Sequence, residues 1–505
     1  MDLNYLPCPV KVVDLNKSTE HDCVVTIEDE ANPKYILKYV AEAKAFDKAF
    51  SSEVSCFKSD NTPTIYSPLD SGEYADVREY FRSAKNAIER AVKSGFSKPL
   101  LVLPSAPKFP NGALSSLLGA LAGLYVPIQF REASPSNVMR VKQLFVTSTI
   151  SDNLDKLVQK ALALEAGLFI SRDIGGADPE RMSPPNVAIY CQEAFSKGQI
   201  KLEIISDQNQ IENDFPLFGA VNRAARSVAR HEGRIIFLEY VPPKPSRKTL
   251  MLVGKGVTYD TGGADIKAGG IMAGMSRDKC GAAALAGFMK FVEIHKPEDV
   301  HVVIALCMVR NSVGEECYVA DEIITSRAGS RVRVGNTDAE GRMAMADCLC
   351  LMKERAVKEK LADPHLYTVA TLTGHAWLAV GDYTCVMDNK VAENAGHGLS
   401  FCKAGDVLGD PADISPLRKE DFAFHRSSAY GEDLLQCNNL PSTKTQRGHQ
   451  TPAAFLIMAS GLDKYDAKSS KPIKYTHLDV AGSAGDIPHP PSGAPLLALA
   501  QLHLL

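Results

Sequence analysis

The sequence predicts an α/β protein with two domains: a smaller amino-terminal α/β domain and a larger carboxyl-terminal domain with a mostly parallel central sheet flanked by helices. Two observations support this class. The chain has 505 residues, more than a single hydrophobic core usually organises. In its second half, short apolar runs alternate with helical patterns, an arrangement that indicates crossover units and a buried parallel sheet.

The first domain is predicted to occupy residues 1–150, and a connecting helix is predicted over 151–170. Ser151 is expected to be the N-cap of that helix, in which apolar residues recur every three or four positions. The Gly- and Pro-rich stretch 175–186 predicts a loop, so the domain boundary is expected near residue 170. The other elements predicted in this domain are helices at 76–95 and 111–125 and strands at 99–104 and 142–148.

The second domain is predicted to occupy residues 171–505. Its apolar runs predict strands and its longer periodic segments predict helices. The predicted strands are 234–241, 249–257, 299–309 and 365–373, and the predicted helices are 280–295 and 341–357. In such folds ligands bind at the carboxyl edge of the sheet, which is where functional residues are expected.

Composition excludes several classes of protein. The formal net charge is only -4, which gives no reason to expect nucleic acid or a membrane surface as a partner. No apolar run has the roughly 18 residues of a membrane span, and the amino-terminal segment lacks the pattern of a secretory signal. The twelve cysteines form no CxxC pair and are expected to be reduced thiols, so a cytoplasmic location is predicted.

Two segments carry most of the residues with recognisable chemistry. The first is VGKGVTYDTGG at 253–263, which continues through Lys267 to Asp278, and the second is NTDAEGR at 336–342. Each lies beside a predicted strand of the parallel sheet. If their acidic residues meet, the carboxylates repel one another unless cations neutralise them. These acids are Asp260, Asp278, Asp338 and Glu340.

Four carboxylates suit a pair of hard or borderline divalent ions such as Mg, Mn or Zn, as in two-metal hydrolysis. Lys255, flanked by glycines, and Lys267 are the candidate cationic groups near the site. The alternative is that the acids cap helices near 280 and 341 and that the lysines lie at the surface. The sequence has no phosphate loop, GxGxxG, GxSxG or HExxH motif. Spacing alone therefore favours a two-metal hydrolase and does not identify its substrate.

At these segments the chain resembles the leucyl aminopeptidase family, the M17 cytosol aminopeptidases. NTDAEGR, the family hallmark, is complete, and the segment from Lys255 to Asp278 has the family spacing. The resemblance continues through ATLTG at 370–374 and, more loosely, HLDVAGSA at 477–484, and covers about residues 165–490. YDTGG and NSVG, the latter at 311–314, are most similar to the aminopeptidase-like branch of the family.

The resemblance implies a ligand set for two metal ions per subunit, Zn and/or Mn, with Mg as a further candidate. Asp260 and Glu340 are implied to bridge the two ions. Asp338 would complete one metal site, and Lys255 with Asp278 would complete the other.

The resemblance also implies catalytic and substrate-binding roles. Lys267 matches the residue that contacts the substrate carbonyl, and Arg342 matches the arginine that holds bicarbonate as the general base. Asp278 would lie near the free amine of the peptide, while Met275 and Thr373 would line the pocket for the first side chain. The expected substrates are therefore peptides with a free amino terminus, with Met275 favouring an apolar first residue.

The resemblance further implies a homohexamer. The alternative to an active aminopeptidase is a catalytically weak assembly or binding protein on the same scaffold. A two-metal phosphoesterase is a third interpretation. Four positions depart from the family pattern close to the site, and the charged ones among them bring metal choice and side-chain preference into question. They are Asp265, Ile271, Lys279 and Cys280. The irregular stretch 431–451 also diverges and is expected to form an access loop.

Overall fold

The structure is a computed structural model, and the chain in it divides into two compact units. The first unit consists of residues 1–169 and 406–409, and the second of residues 170–405 and 410–505. Ser151, the expected N-cap, lies outside the described residues. The structure describes residues 3–14, 20–28, 37–59, 61–70, 72–106, 108–148, 153–426 and 431–505.

The first unit contains a six-stranded sheet with helices around it. Its strands are β1 Val10–Val12, β2 Cys23–Glu28, β3 Ser55–Ser59, β4 Thr62–Pro68, β5 Pro99–Leu103 and β6 Leu144–Ser148. Its helices are α1 Leu37–Phe46, α2 Arg78–Lys93, α3 Gly112–Leu124 and α4 Ile128–Ala133. The strand order is β1-β6-β5-β2-β4-β3, and every pair is parallel except β3 with β4.

Close helix packing explains part of the sequence of this unit. The apolar positions of α2 that recur every three or four residues, among them Ala84, Ala87 and Ala91, are fully buried. On α3, a Cβ atom at Gly119 would lie 2.1 Å from the carbonyl oxygen of Phe81, so only glycine allows this approach of α3 to α2. The predicted helices and strands of this domain therefore occur where apolar periodicity placed them.

The helix α5, Leu154–Gly176, passes from the first unit into the second, which contains an eight-stranded sheet. The strands of the second unit are β7 Lys201–Ile205, β8 Arg234–Tyr240, β9 Lys248–Asp260, β10 Val300–Asn311, β11 Ile323–Thr325, β12 Arg331–Arg333, β13 Pro364–Ala370, β14 Thr384–Asp388, β15 Ala412–Ile414, β16 Leu434–Leu435 and β17 Lys474–Asp479. The remaining helices are α6 Pro184–Phe195, α7 Gln208–Asp214, α8 Pro216–Asn222, α9 Cys280–His295, α10 Glu340–Lys358, α11 Gly374–Val380, α12 Lys390–Asn394, α13 His397–Leu408, α14 Lys419–Ala423, α15 Gln450–Ala459 and α16 Leu496–His503.

The order of the large sheet is β15-β14-β17-β13-β9-β10-β8-β7. The four central strands, β17, β13, β9 and β10, are parallel to their neighbours within that group. Antiparallel pairs flank them on both sides. Because the central strands are parallel, their carboxyl ends share one edge. The predicted fold class, with a mostly parallel central sheet, is confirmed.

Two local predictions need correction. The stretch 175–186 is not irregular throughout, because α5 continues to Gly176 and α6 begins at Pro184, where proline is tolerated in the first helical turn. The strand predicted over 249–257 is longer than expected, because β9 continues to Asp260, and Lys255 lies inside it. The glycine before it serves packing: a Cβ atom at Gly254 would lie 2.6 Å from the Cα atom of Ala282 in α9.

Among the described residues, none of the helices combines the length and the apolar character that crossing a membrane requires.

Candidate active site

Three buried carboxylates meet at the carboxyl edge of the central sheet. Asp260 ends β9, Asp278 lies two residues before α9, and Glu340 is the first residue of α10. One ligand oxygen from each residue lies within 4.8 Å of the other two. The fold therefore brings together acids that are far apart in the chain.

Lys255 connects two of these carboxylates. Its Nζ atom lies 2.8 Å from Asp278 Oδ2 and 2.8 Å from Glu340 Oε1, and it donates to the carbonyl oxygen of Thr371 at 3.1 Å. Burial alone would lower the pKa of Lys255, but the surrounding carboxylates outweigh burial and raise this pKa above its ordinary value. Without a bound cation, these contacts favour the ammonium form of Lys255.

Lys267 joins the fourth acid to the group. Its Nζ atom lies 3.0 Å from Asp260 Oδ2 and 2.5 Å from Asp338 Oδ1. Burial would lower the pKa of Lys267 too, but Asp260 and Asp338 raise it above its ordinary value. Each lysine thus pairs with two acids, and all four predicted carboxylates lie in one site.

Three of the carboxyl groups have pKa values above the ordinary range. Burial is the first cause, and repulsion by the neighbouring carboxylates adds to it, so the pKa values of Asp278 and Glu340 are raised. The same causes raise the pKa of Asp338 to about 7. The two lysines oppose these shifts without cancelling them. The site is therefore short of positive charge.

The residues present fit divalent metal ions. Asp278 Oδ2, Asp338 Oδ1 and Glu340 Oε1 are buried oxygens, and each lies within 2.8 Å of a lysine ammonium nitrogen. Two ammonium groups face four carboxylates, so the negative charge of the site exceeds the positive charge. Carboxylate oxygens are the ligands that Mg, Mn and, in part, Zn prefer. The donor set and the charge deficit therefore both favour cations here.

The acids are not helix caps. The N-cap positions of α9 and α10 are Lys279 and Ala339, and neither Asp278 nor Asp338 fills that role. The capping alternative is wrong for these two residues.

A cavity of about 550 Å³ opens onto the carboxylates. Met275, Thr373 and Arg342 all line it. The hydroxyl of Thr373 donates to Asp479 Oδ2 at 2.7 Å and accepts from the N–H of Ala376 at 3.0 Å, so it is engaged within the fold. Further apolar or small residues of the lining are Ile271, Leu372, Trp377, Leu440, Ala481 and Ala484.

Arg342 is buried beside the cavity, and one of its N–H donors has no acceptor. Its Nη1 atom donates to the carbonyl oxygen of Gln436 at 3.0 Å, whereas its Nε atom is buried without a hydrogen-bond partner. The side chain of Gln436 in turn accepts from the N–H groups of Gly335 and Asn336 and donates to the carbonyl oxygens of Asn336 and Ala339. Gln436 therefore fixes the NTDAEGR segment from a distant part of the chain.

The unusual charges near the site are both engaged by backbone groups. The carboxylate of Asp265 accepts from the N–H of Thr337 at 2.8 Å. Lys279 is fully buried and donates to the carbonyl oxygens of Ala177 and Ser276. Cys280 is buried, and its thiol lies 3.9 Å from the carbonyl oxygen of Gly175. None of these contacts involves a predicted metal ligand.

Sequence reasoning missed three residues that hold the site. Asn311 at the end of β10 donates to Asp260 Oδ1 at 2.8 Å, and Thr371 donates from its hydroxyl to Asp278 Oδ1 at 2.9 Å. Asn311 follows a predicted strand and Thr371 lies near the carboxyl end of another, so the rule that ligands bind at the carboxyl edge would have found them. Gln436 lies in an irregular stretch, where no local pattern indicates its role. That stretch also contributes Cys437, Leu440 and several neighbours to the cavity lining, consistent with the expected access loop.

Comparisons with known proteins identify the family of this chain. The family model described as the cytosol aminopeptidase family, catalytic domain, matches residues 169–499. The chain is 47% identical to W07G4.4, a Caenorhabditis elegans protein named as a candidate aminopeptidase. The match covers 85% of this chain and 82% of that protein. The cytosol aminopeptidase of Vibrio cholerae strain O395 is 30% identical over 72% of this chain and 67% of its own length.

Among solved structures, the bottromycin maturation enzyme BotP in complex with Mn has the same fold, with a TM-score of 0.79 at 20% identity. The match covers 95% of this chain and 98% of that chain. The family model and the sequence relatives confirm the resemblance predicted from the two motif segments, and the Caenorhabditis elegans relative supports the aminopeptidase-like branch. The chain therefore belongs to the cytosol aminopeptidase family and is by class a metal-dependent aminopeptidase.

Proposed function

We propose that this chain is a two-metal aminopeptidase that hydrolyses the first residue from peptides with a free amino terminus. One observation carries the proposal. Asp260, Asp278 and Glu340 bring ligand oxygens within 4.8 Å of one another, and Lys267 ties Asp338 to the same group. Four carboxylates facing two ammonium groups suit two divalent ions better than one.

The ligand assignment follows the predicted scheme. Asp260 and Glu340 are central to the group and would be shared by both ions. Asp338 would complete one site, and Lys255 with Asp278 would complete the other. Lys255 binds a metal only when its amine is neutral, so binding there would release its proton. Zn and Mn are the expected ions, with Mg as a further candidate.

When bound, the ions would lower the pKa of a water molecule and polarise the scissile carbonyl. Lys267 would donate to the carbonyl oxygen and stabilise the negative charge that develops there. Its ammonium is well placed for this task, because Asp260 and Asp338 hold it at the carboxyl edge of the sheet and it lines the cavity.

Asp278 accounts for the restriction to chain ends. Its carboxylate is fixed by the hydroxyl of Thr371 and by Lys255, and it lines the cavity. A free peptide amine would be held beside it as a positively charged or metal-binding group. An internal peptide bond has no such amine at this position, so the site selects exopeptidase action.

Arg342 would hold a bicarbonate ion, which would supply the general base. The buried Nε atom without a hydrogen-bond partner and the place of Arg342 in the cavity lining support this assignment. Met275 and Thr373 would contact the first side chain of the peptide. Trp377, Ala481 and other apolar or small residues share the lining, which supports preference for an apolar first residue.

Assembly and location rest on family membership. We propose a homohexamer in the cytoplasm. A sizing measurement that gives the monomer mass of 54.6 kDa would contradict the hexamer.

The test is release of amino-terminal residues from a panel of aminoacyl-amides, with Zn or Mn added to metal-free protein. Wild type is compared with Glu340→Ala and with Glu315→Ala, which changes an exposed acid outside the site. We expect metal-dependent turnover that the Glu315 variant keeps and the Glu340 variant loses. Two bound metals without turnover in wild type would instead support the catalytically weak binding protein. Turnover of a phosphate monoester would indicate the phosphoesterase.

A further inference from the structure

Asp265 links the two segments that carry the site. Its Oδ2 atom accepts from the N–H of Thr337 at 2.8 Å and lies 3.2 Å from the Thr337 hydroxyl. In return, the N–H of Asp265 donates to Thr337 Oγ1 at 2.8 Å. The contact is therefore reciprocal and joins residues 72 positions apart in the chain.

The two linked residues are close in sequence to two residues of the candidate site. Asp265 precedes Lys267 by two residues, and Thr337 immediately precedes Asp338. The Nζ atom of Lys267 lies 2.5 Å from Asp338 Oδ1. The hydrogen bonds between Asp265 and Thr337 and the ion pair between Lys267 and Asp338 therefore connect the same two segments.

Other contacts leave Thr337 little freedom. Its hydroxyl donates to the carbonyl oxygen of Gly262 at 2.7 Å, and its own carbonyl oxygen accepts from the hydroxyl of Tyr318 at 2.9 Å. Thr337 is fully buried. Without the Asp265 carboxylate, its N–H would lose this acceptor in a buried position, which is costly, so the segment would shift to find another acceptor.

The other half of the site is held differently. Lys255 lies inside β9, and Asp278 is fixed by Lys255 and by the hydroxyl of Thr371. None of these contacts passes through Asp265 or Thr337. A disturbance at Asp265 should therefore reach Asp338 first.

We propose that Asp265 is a positioning residue that holds Asp338 in place, so that the metal site completed by Asp338 depends on Asp265 and the site completed by Lys255 and Asp278 does not. The inference rests on the proposed two-metal function. It also gives a reason for a charged residue at a position where the family pattern has a small or neutral one.

The test is titration of metal-free protein with Mn²⁺ in a calorimeter. Wild type should bind two ions per chain. Asp265→Ala should weaken one of the two binding events by about 10- to 100-fold, the usual effect of removing a residue that orients a ligand, and leave the other unchanged. Asp265→Asn keeps a carbonyl oxygen as acceptor for Thr337 and should retain most of the affinity. Ile266→Ala, which truncates the exposed neighbour in the same loop, is the matched control.

Thr337→Val provides a second, independent variant, because it removes the hydroxyl that accepts from Asp265 while the N–H remains. It should reproduce part of the loss at the same metal site. Circular dichroism of the metal-free variants checks that they are folded. If Asp265→Ala binds both ions like wild type, or weakens both equally, the positioning role is overturned while the two-metal function stands. If wild type itself does not bind two ions, the proposed function fails and this inference fails with it.

Discussion

The central sheet carries a polar cluster at each end, and the two clusters differ in how far their polar groups are satisfied. At the carboxyl end lie the four carboxylates and two lysines of the candidate active site. At the amino end lies a buried group that we call the histidine cluster, in which Tyr367 Oη is 2.8 Å from His397 Nε2, 2.9 Å from His503 Nε2 and 3.2 Å from His365 Nδ1.

Every ring nitrogen of the histidine cluster has a polar partner. The second nitrogen of His365 contacts the hydroxyl of Thr476, that of His397 contacts Asp388, and that of His503 contacts Lys248. The carboxyl-end site instead has four carboxylates that only two ammonium groups neutralise, and it opens into a cavity. A cluster in which every polar group has a hydrogen-bond partner stabilises the fold. A cluster with excess negative charge and access to solvent is suited to bind a cation.

The largest effect is expected at the carboxyl end. Lys267→Gln removes the ammonium proposed to stabilise the developing oxyanion, so turnover of a leucyl amide should fall by about 100- to 1,000-fold. Bound metal should remain, because Lys267 is not among the proposed ligands. Lys358→Gln, which makes the same change at an exposed lysine at the far end of α10, should behave like wild type. Wild-type turnover in Lys267→Gln would remove this residue from the mechanism.

At the amino end, Tyr367→Phe should change stability and not chemistry. The variant removes the hydroxyl that three buried imidazoles share, and unsatisfied buried polar groups should lower the free energy of unfolding by about 1–3 kcal/mol. Urea unfolding measures this loss, with Tyr74→Phe at an exposed position as the control. Turnover per folded molecule should be unchanged. A large loss of turnover in a stable Tyr367→Phe protein would contradict the separation of the two ends.

The smallest effect is a dependence of stability on pH. Burial, together with neighbouring imidazoles and lysines, lowers the pKa values of His365 and His503 well below the ordinary 6.5. Below pH 6.5 the unfolded chain therefore binds protons that the folded chain does not, so the free energy of unfolding falls as the pH falls.

Urea unfolding at a series of pH values measures this slope. His503→Gln removes one titrating group and should reduce the slope by up to about 1.4 kcal/mol per pH unit. An equal slope in wild type and His503→Gln would mean that this histidine is not held neutral in the fold.

Much of the fold could be predicted because the strands and helices of both units follow apolar periodicity. Helix α9, for example, occupies the predicted residues, since its small and apolar residues pack directly on β9. The ends of elements were predicted less well. The strand predicted over 249–257 continues to Asp260, and at Gly254 within it the missing side chain makes room for α9.

The residue types of the site and their place beside strands were sufficient to predict acids, lysines and metal chemistry, because oxygen-rich ligands and charge balance depend on composition and spacing. Which groups meet depends on contacts across long stretches of chain. Gln436 holds a segment about 100 residues away, and Asp265 holds Thr337 at a separation of 72. Lys279 and Asp265, whose charges lie close to the site in the sequence, bind backbone groups. Hydrogen bonds between distant segments leave no periodic trace in the sequence, so only the folded chain reveals which charge binds a ligand and which one holds a loop.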